Sequence, residues 1–222
     1  MKTLITLASL ALAALATTAQ AAEIKAYPNK CNNEQAGCTT ITIEGTIAPN
    51  DGGRFMALLL QHNTKKALIM LVSDGGNLEA ALQMGRYIHA NGYSTLVPYQ
   101  SYCISACAIV WAAGKFKQGD STAKIGFHAA YTVQAAGRRA YAVESGQGNA
   151  VVGAYYAMLG YNEEAIRFFT KASPNTATWL SSTIAEKLGI QVSILVPTEA
   201  EKEMRKPPAK AAKQQTPSAQ IP

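Results

Sequence analysis

The sequence predicts an α/β fold with a mainly parallel sheet flanked by helices. Three observations carry that expectation. Between residues 39 and 114, strand-like and helix-like segments alternate, the order of βαβ units with right-handed crossovers. Residues 67–73, Ala-Leu-Ile-Met-Leu-Val-Ser, form a short apolar run that stops at Asp74-Gly75-Gly76-Asn77, as a buried strand feeding a sharp turn does. Residues 102–114 pass from small and polar side chains into an Ala-rich apolar run. That pattern reads as a tight turn and a buried helix lying close to a sheet.

At the chain start, Lys2 precedes an apolar run that ends in Thr17-Thr18-Ala19-Gln20-Ala21. A charged start, a short apolar centre and Ala-x-Ala describe a secretory signal at residues 1–21, with cleavage expected after Ala21. The run is short for a bilayer span of roughly 20 residues, so no stable membrane span is expected after cleavage. The protein is expected to be periplasmic or secreted. Residues 22–197 are enough for a single domain with a sizeable core. Beyond Pro197 the chain is dominated by Pro, Lys, Ala, Gln and Glu, and residues 198–222 read as a disordered tail. Lys and Arg number 20 against 14 Asp and Glu. Part of that excess lies in the tail, and no basic motif interleaved with aromatics is present, so nucleic acid is not an expected partner.

Within the domain, Cys31 and Cys38 flank a polar loop. In an oxidising compartment they are expected to form a disulfide worth roughly 2–3 kcal/mol on the chain-entropy model. Histidines at ligand spacing are missing, so no metal site is expected. Residues 39–48 alternate as a half-buried strand. Residues 54–62 read as a helix with Phe55, Leu58 and Leu59 on one face. Asn77 is a good cap for a helix reaching about residue 90, with Leu78, Ala81, Leu82, Gly85 and Ile88 inward. Asn91-Gly92 ends it, and residues 93–97 read as the next strand. Residues 144–161 suggest a helix, Asn162 caps another over 163–171, residues 178–190 read as helical and 191–196 as a strand.

Cys103 and Cys107 bracket Ser105. They are either two small buried residues or a second disulfide that rigidifies the turn. Ser105 itself falls at a helix start, where backbone N–H groups are unpaired. It is either a helix cap or a nucleophile. Residues 123–128 read as a strand ending in His128. A glycine-rich N–H donor, a serine at a helix start and a histidine at a strand end are the parts acyl transfer requires.

On Ser73-Asp74-Gly75-Gly76, Ser105, Ala112-Ala113-Gly114 and His128, in that order and spacing, the chain resembles the proteolytic subunit of the Clp protease. That subunit has the wider ClpP/crotonase fold of repeated β-β-α and βαβ units. The likeness continues more faintly through Trp179-Leu180-Ser181 and residues 185–190. It implies Ser105 as nucleophile, His128 as general base, and the N–H groups of Gly76 and Ala106 as an oxyanion hole. The family has a proline where Asp74 stands, and an aspartate late in its handle. Here residues 171–176, Lys-Ala-Ser-Pro-Asn-Thr, contain no acid. Counting back from Trp179-Leu180 puts Ser173 in that third position. Aligning the preceding helix instead puts it near Phe169, and Asn175 offers an amide oxygen that could orient a histidine.

Residues 129–172 correspond to the handle, which mediates subunit contacts in the family, so the resemblance implies a homo-oligomer. The function expected is that of an exported serine protease or peptidase, acting on a peptide or protein substrate by Ser–His acyl transfer without a cofactor. The family's ATP-driven unfoldase is not an expected partner, because the periplasm generally offers no ATP. The alternative is a catalytically weak or inactive homologue serving as a periplasmic binding or assembly module. Acyl-CoA chemistry, another activity of the fold, is disfavoured by export.

Overall fold

The computed structural model describes residues 21–31, 34–137, 139–196 and 199. The expected signal up to residue 20 and nearly all of the expected tail lie outside the described residues. Thr39-Thr40-Ile41-Thr42-Ile43 alternates as a strand should, and Ile41 and Ile43 are fully buried. They belong to β2 (Glu34–Glu44), which pairs antiparallel with β1 (Glu23–Cys31). Helix α1 (Asp51–Gln61) buries Phe55 and Leu59 and leads into β3 (Lys66–Val72), parallel to β2. Helix α2 (Leu78–Asn91) starts at Asn77, whose side chain accepts the Ala80 N–H, and ends at Gly92 with φ 64°. Both ends are as the sequence predicts.

The chain then forms β4 (Ser94–Val97), β5 (Tyr102–Ile104), α3 (Ala106–Ala112), β6 (Lys117–Asp120) and β7 (Lys124–Phe127). A hairpin of β8 (Tyr131–Ala136) and β9 (Arg139–Glu144) follows, then α4 (Gly146–Met158) and α5 (Glu163–Thr170). The exit is β10 (Thr178–Leu180), α6 (Ser182–Lys187) and β11 (Val192–Leu195). The main sheet runs β1-β2-β3-β4-β6-β11, parallel throughout except for β1. A smaller sheet, β10-β7-β5, stands beside it and is tied to the end of β3 through a bridge between Ser73 and Cys103. The mixed α/β architecture with a mainly parallel sheet is thus the one the sequence predicts.

Several strands differ from the sequence reading. β1, β5 and β6 have no counterpart in it, and residues 102–104, read as part of a turn, pair with β7 as a short parallel strand. The handle-like segment opens as an exposed hairpin, for which the sequence reading assigned no strands. Residues 178–180, read as the start of a helix, are a strand paired with β7, and the helix begins only after Ser181. The Cys31 side chain lies outside the described residues; Cys38 is disulfide-bonded.

Helix α3 is buried along its whole length and is held from several sides. Thr95 Oγ1 donates to Trp111 O at 2.7 Å, and Trp111 Nε1 donates to Gln118 O at 3.0 Å. From the helical layer, Tyr155 Oη donates to Ile109 O at 3.1 Å and Tyr161 Oη to Ala112 O at 2.7 Å. Gly85 of α2 is required here, because any side chain would run into the Tyr155 hydroxyl. Small residues on α2 and α3 therefore let the helices close on one another, and two tyrosines fix the position of α3.

Candidate active site

Ser105 lies between β5 and α3 with φ 60° and ψ −125°. That is a sparsely populated conformation for a residue with a Cβ, costing about 1–3 kcal/mol. Its backbone is held from below, since the Ser105 N–H donates to Gly126 O at 3.0 Å. Its side chain makes no cap bond to α3, so the helix-cap reading of this serine does not hold. The Cys103–Cys107 disulfide spans the same turn, with a Cα–Cα distance of 5.2 Å and both residues fully buried. Of the two readings of this pair, the disulfide is the one present.

The Gly75-Gly76 turn packs directly on Ser105. Gly75 has φ 100°, and a Cβ there would lie 2.6 Å from Ser105 Cβ and 2.7 Å from Ile104 O. Only glycine fits both the conformation and the space. The turn is also pinned to Ile47, whose N–H donates to Gly75 O at 2.8 Å and whose carbonyl accepts the Asn77 N–H at 2.8 Å. The Gly75 N–H goes to Ser73 Oγ at 3.0 Å. This arrangement leaves the Gly76 N–H unclaimed. Ala106 is the first residue of α3, and its N–H has no acceptor within the helix. Among the described residues, neither N–H has a hydrogen-bond partner, and both residues line one cleft.

His128 follows β7 directly and is partly buried. Its Nδ1 lies 2.8 Å from Ala129 O. A carbonyl can only accept, so Nδ1 carries the proton and Nε2 is the free acceptor. The Ala129 peptide is itself fixed, its N–H donating to Ala172 O at 2.8 Å, while the next N–H, of Ala130, reaches Asn149 Oδ1 at 2.7 Å. The Tyr131 ring lies against the imidazole, 5.6 Å between centroids.

Gly76, Ser105, Ala106 and His128 thus line the same cleft of about 370 Å³. Leu78, Ile109, Phe127, Val133, Val152 and Tyr156 supply most of the remaining wall, and no Asp, Glu, Lys or Arg is among the lining residues. Ser173 and Asn175 are not brought into it. Both are exposed, the Ser173 hydroxyl is 3.1 Å from Thr176 Oγ1, and no hydrogen bond joins either residue to His128. Asp74 also stays outside the wall. Its carboxylate sits by the Tyr102 hydroxyl, which burial first and then this negative charge push above the ordinary tyrosine value. Among the described residues no cluster of His, Cys, Asp and Glu could hold a metal ion.

The sequence reading missed the Ala129 carbonyl, which no side-chain pattern can announce. It also missed that α4 and the β8–β9 hairpin wall the cleft. The signal for α4 was there in Val152 and Tyr156, four residues apart on one helix face.

No known family profile matches the chain, and no curated protein sequence does. Solved structures do match. A serine-to-alanine mutant of the 1510-N membrane-bound stomatin-specific protease matches with a TM-score of 0.52 and 17% identity, over 72% of this chain and 80% of that one. A lysine-to-alanine mutant of a protein of the same name, in complex with a substrate peptide, gives 0.50 and 16%, over 73% and 93%. An asparagine-to-aspartate mutant of ClpP1 from Listeria monocytogenes gives 0.50 and 18%, over 72% and 92%. The fold is ClpP-like. At these identities the likeness is one of fold alone.

Proposed function

We propose that this chain is an exported ClpP-like serine peptidase that cleaves peptide bonds beside apolar side chains. The observation that carries the reading is the convergence on one cleft of Ser105, His128 and two unclaimed N–H groups, those of Gly76 and Ala106. Ser105 attacks the scissile carbonyl while His128 Nε2 takes its proton. The Gly76 and Ala106 N–H groups receive the developing oxyanion, where one such donor is worth about 10²–10³ in rate. His128 then returns the proton to the leaving amine, and water releases the acyl group by the same steps in reverse.

The third position of the site goes to the carbonyl of Ala129. It holds the imidazole in the required tautomer, as a carboxylate would. A neutral dipole stabilises the imidazolium less than a full charge does, so a modest turnover is expected. The apolar wall favours a substrate with an aliphatic or aromatic side chain next to the cut.

Export rests on the sequence of residues 1–21. Assembly of several copies is part of the same reading. It is supported by the exposed Tyr131, Val133 and Tyr141 of the hairpin and tested by light scattering, where a clean monomer counts against it. The activity is tested with a pool of fluorogenic peptides varied at the residue before the cut. Cleavage is expected after apolar residues and absent in Ser105→Ala. A folded protein that cleaves none of them supports the binding-module alternative.

A further inference from the structure

Ala22 is placed unlike its neighbours. Ala21 and Glu23 are exposed, whereas Ala22 keeps 1% of its surface. Its N–H donates to Asp51 Oδ2 at 3.1 Å, and its carbonyl accepts from Arg54 Nη1 at 3.0 Å. Asp51, at the start of α1, is fully buried. Oδ2 also accepts the Ala48 N–H at 2.8 Å, and Oδ1 accepts Arg54 Nη1 at 2.6 Å. A carboxylate taken wholly out of water needs strong compensation, and the cation it meets, Arg54, is half exposed. A cavity bordered by Ala21, Ala22, Pro49 and Asn50 opens beside the group.

The bond that signal processing is expected to cut joins Ala21 to Ala22. Hydrolysis of that bond by water, catalysed by a signal peptidase, leaves a carboxylate on Ala21, which departs with the leader. It also leaves a primary amine on Ala22, which takes up a proton.

We propose that Asp51 is the receptor for the N-terminal ammonium of the mature chain. Leader removal turns an amide–carboxylate bond, charged on one side only, into an ammonium–carboxylate pair charged on both, a stronger contact at the same place. The inference rests on the export reading and is independent of the peptidase reading. Two independent observations meet at one bond: the Ala-x-Ala register in the sequence, and the buried acid in the fold. One ammonium proton goes to Asp51 Oδ2. The others face the cavity from which exposed Ala21 has gone. An extra residue before Ala22 would restore the amide and carry the charge outward. The site also bears on the cleft, because Ala48, held by Asp51, adjoins Ile47, on which the Gly75-Gly76 turn is pinned.

The test uses the full chain expressed with its leader in an exporting bacterial host. Intact mass gives the first residue, and an amine-acylating reagent at neutral pH is followed at that residue by peptide mapping. The expected result is a chain beginning at Ala22 whose amine reacts at least about tenfold more slowly folded than in urea, as a charge-assisted bond implies. Asp51→Asn should abolish the protection. Because that change also alters the Ala48 contact, a second form carries one glycine inserted before Ala22 with Asp51 intact. Its new terminal amine should react as fast folded as unfolded. A first residue other than Ala22, or an Ala22 amine that reacts equally fast folded and unfolded, overturns the inference. None of these readouts depends on catalysis, so they stand or fall apart from the activity.

Discussion

The Nδ1 of His128 lies 2.8 Å from the carbonyl oxygen of Ala129, the residue that follows it in the chain. The imidazole is therefore oriented by its own backbone, which is tied down by Ala172 and, one residue on, by Asn149. An acid at the third position is not needed to set the tautomer.

Ser173→Ala and Asn175→Ala each remove an exposed side chain with no bond to His128. Each should keep peptidase activity within about threefold, the scale of a neutral surface change. A loss of about 10² or more in kcat with KM unchanged would show that one of them acts through the histidine after all.

Gly75 should be intolerant of substitution. In Gly75→Ala the new methyl would press on the Ser105 Cβ and the Ile104 carbonyl from a φ of 100°. The backbone can relieve this only by moving Ser105 or the Gly76 N–H. Activity should fall by about 10² or more, as loss of an oxyanion donor does. Circular dichroism and kcat, measured together, check this; unchanged kcat in a folded variant contradicts it.

The disulfide at Cys103 and Cys107 should act on stability and rate together. Replacing both by alanine removes a short loop closure worth about 2 kcal/mol on the chain-entropy model. It also frees the turn that holds Ser105 in its unusual conformation. Thermal unfolding should occur at lower temperature and kcat should drop. In the intact protein, alkylation under denaturing, non-reducing conditions should find no thiol at these two positions. Two reactive thiols there would contradict the account.

Burial pushes the hydroxyls of Tyr155, Tyr156 and Tyr161 well above the ordinary tyrosine value. The folded state holds these protons more tightly than the unfolded chain, which releases them near pH about 10. The stability tied to the neutral hydroxyls is therefore intact below about pH 10 and is lost as the pH rises beyond it. Part of the tyrosinate absorbance should appear only as the near-ultraviolet circular dichroism collapses. Complete ionisation of all 10 tyrosines with the fold retained would contradict this.

What could be read from the sequence was local. The Gly75-Gly76 turn, the Asn77 and Gly92 ends of α2, the turn at Ser105 and the strand before His128 each carry a signature within a few residues. Elements decided by distant partners did not. Residues 178–180 have a helix-compatible pattern, yet Trp179 lies over Gly126, where no side chain could fit beneath its ring, and the strand forms on β7. β1 sits at the edge of its sheet with alternate residues exposed, and it contains Pro28, which weakens any strand signal. At the site, the serine, the histidine and both glycines were legible, while a main-chain carbonyl leaves no mark in a string of side chains. Ser173 and Asn175 offer side chains, whereas the atom that holds His128 belongs to the backbone.

The central claim is a working Ser105–His128 pair facing the Gly76 and Ala106 N–H groups. Labelling with a fluorophosphonate probe tests it most directly, in the processed protein and in Ser105→Ala and His128→Ala. The account predicts one label per chain on Ser105, absent in Ser105→Ala and slowed by about 10² or more in His128→Ala. Absence of labelling in a folded, disulfide-bonded protein, or labelling that survives loss of Ser105, would contradict it.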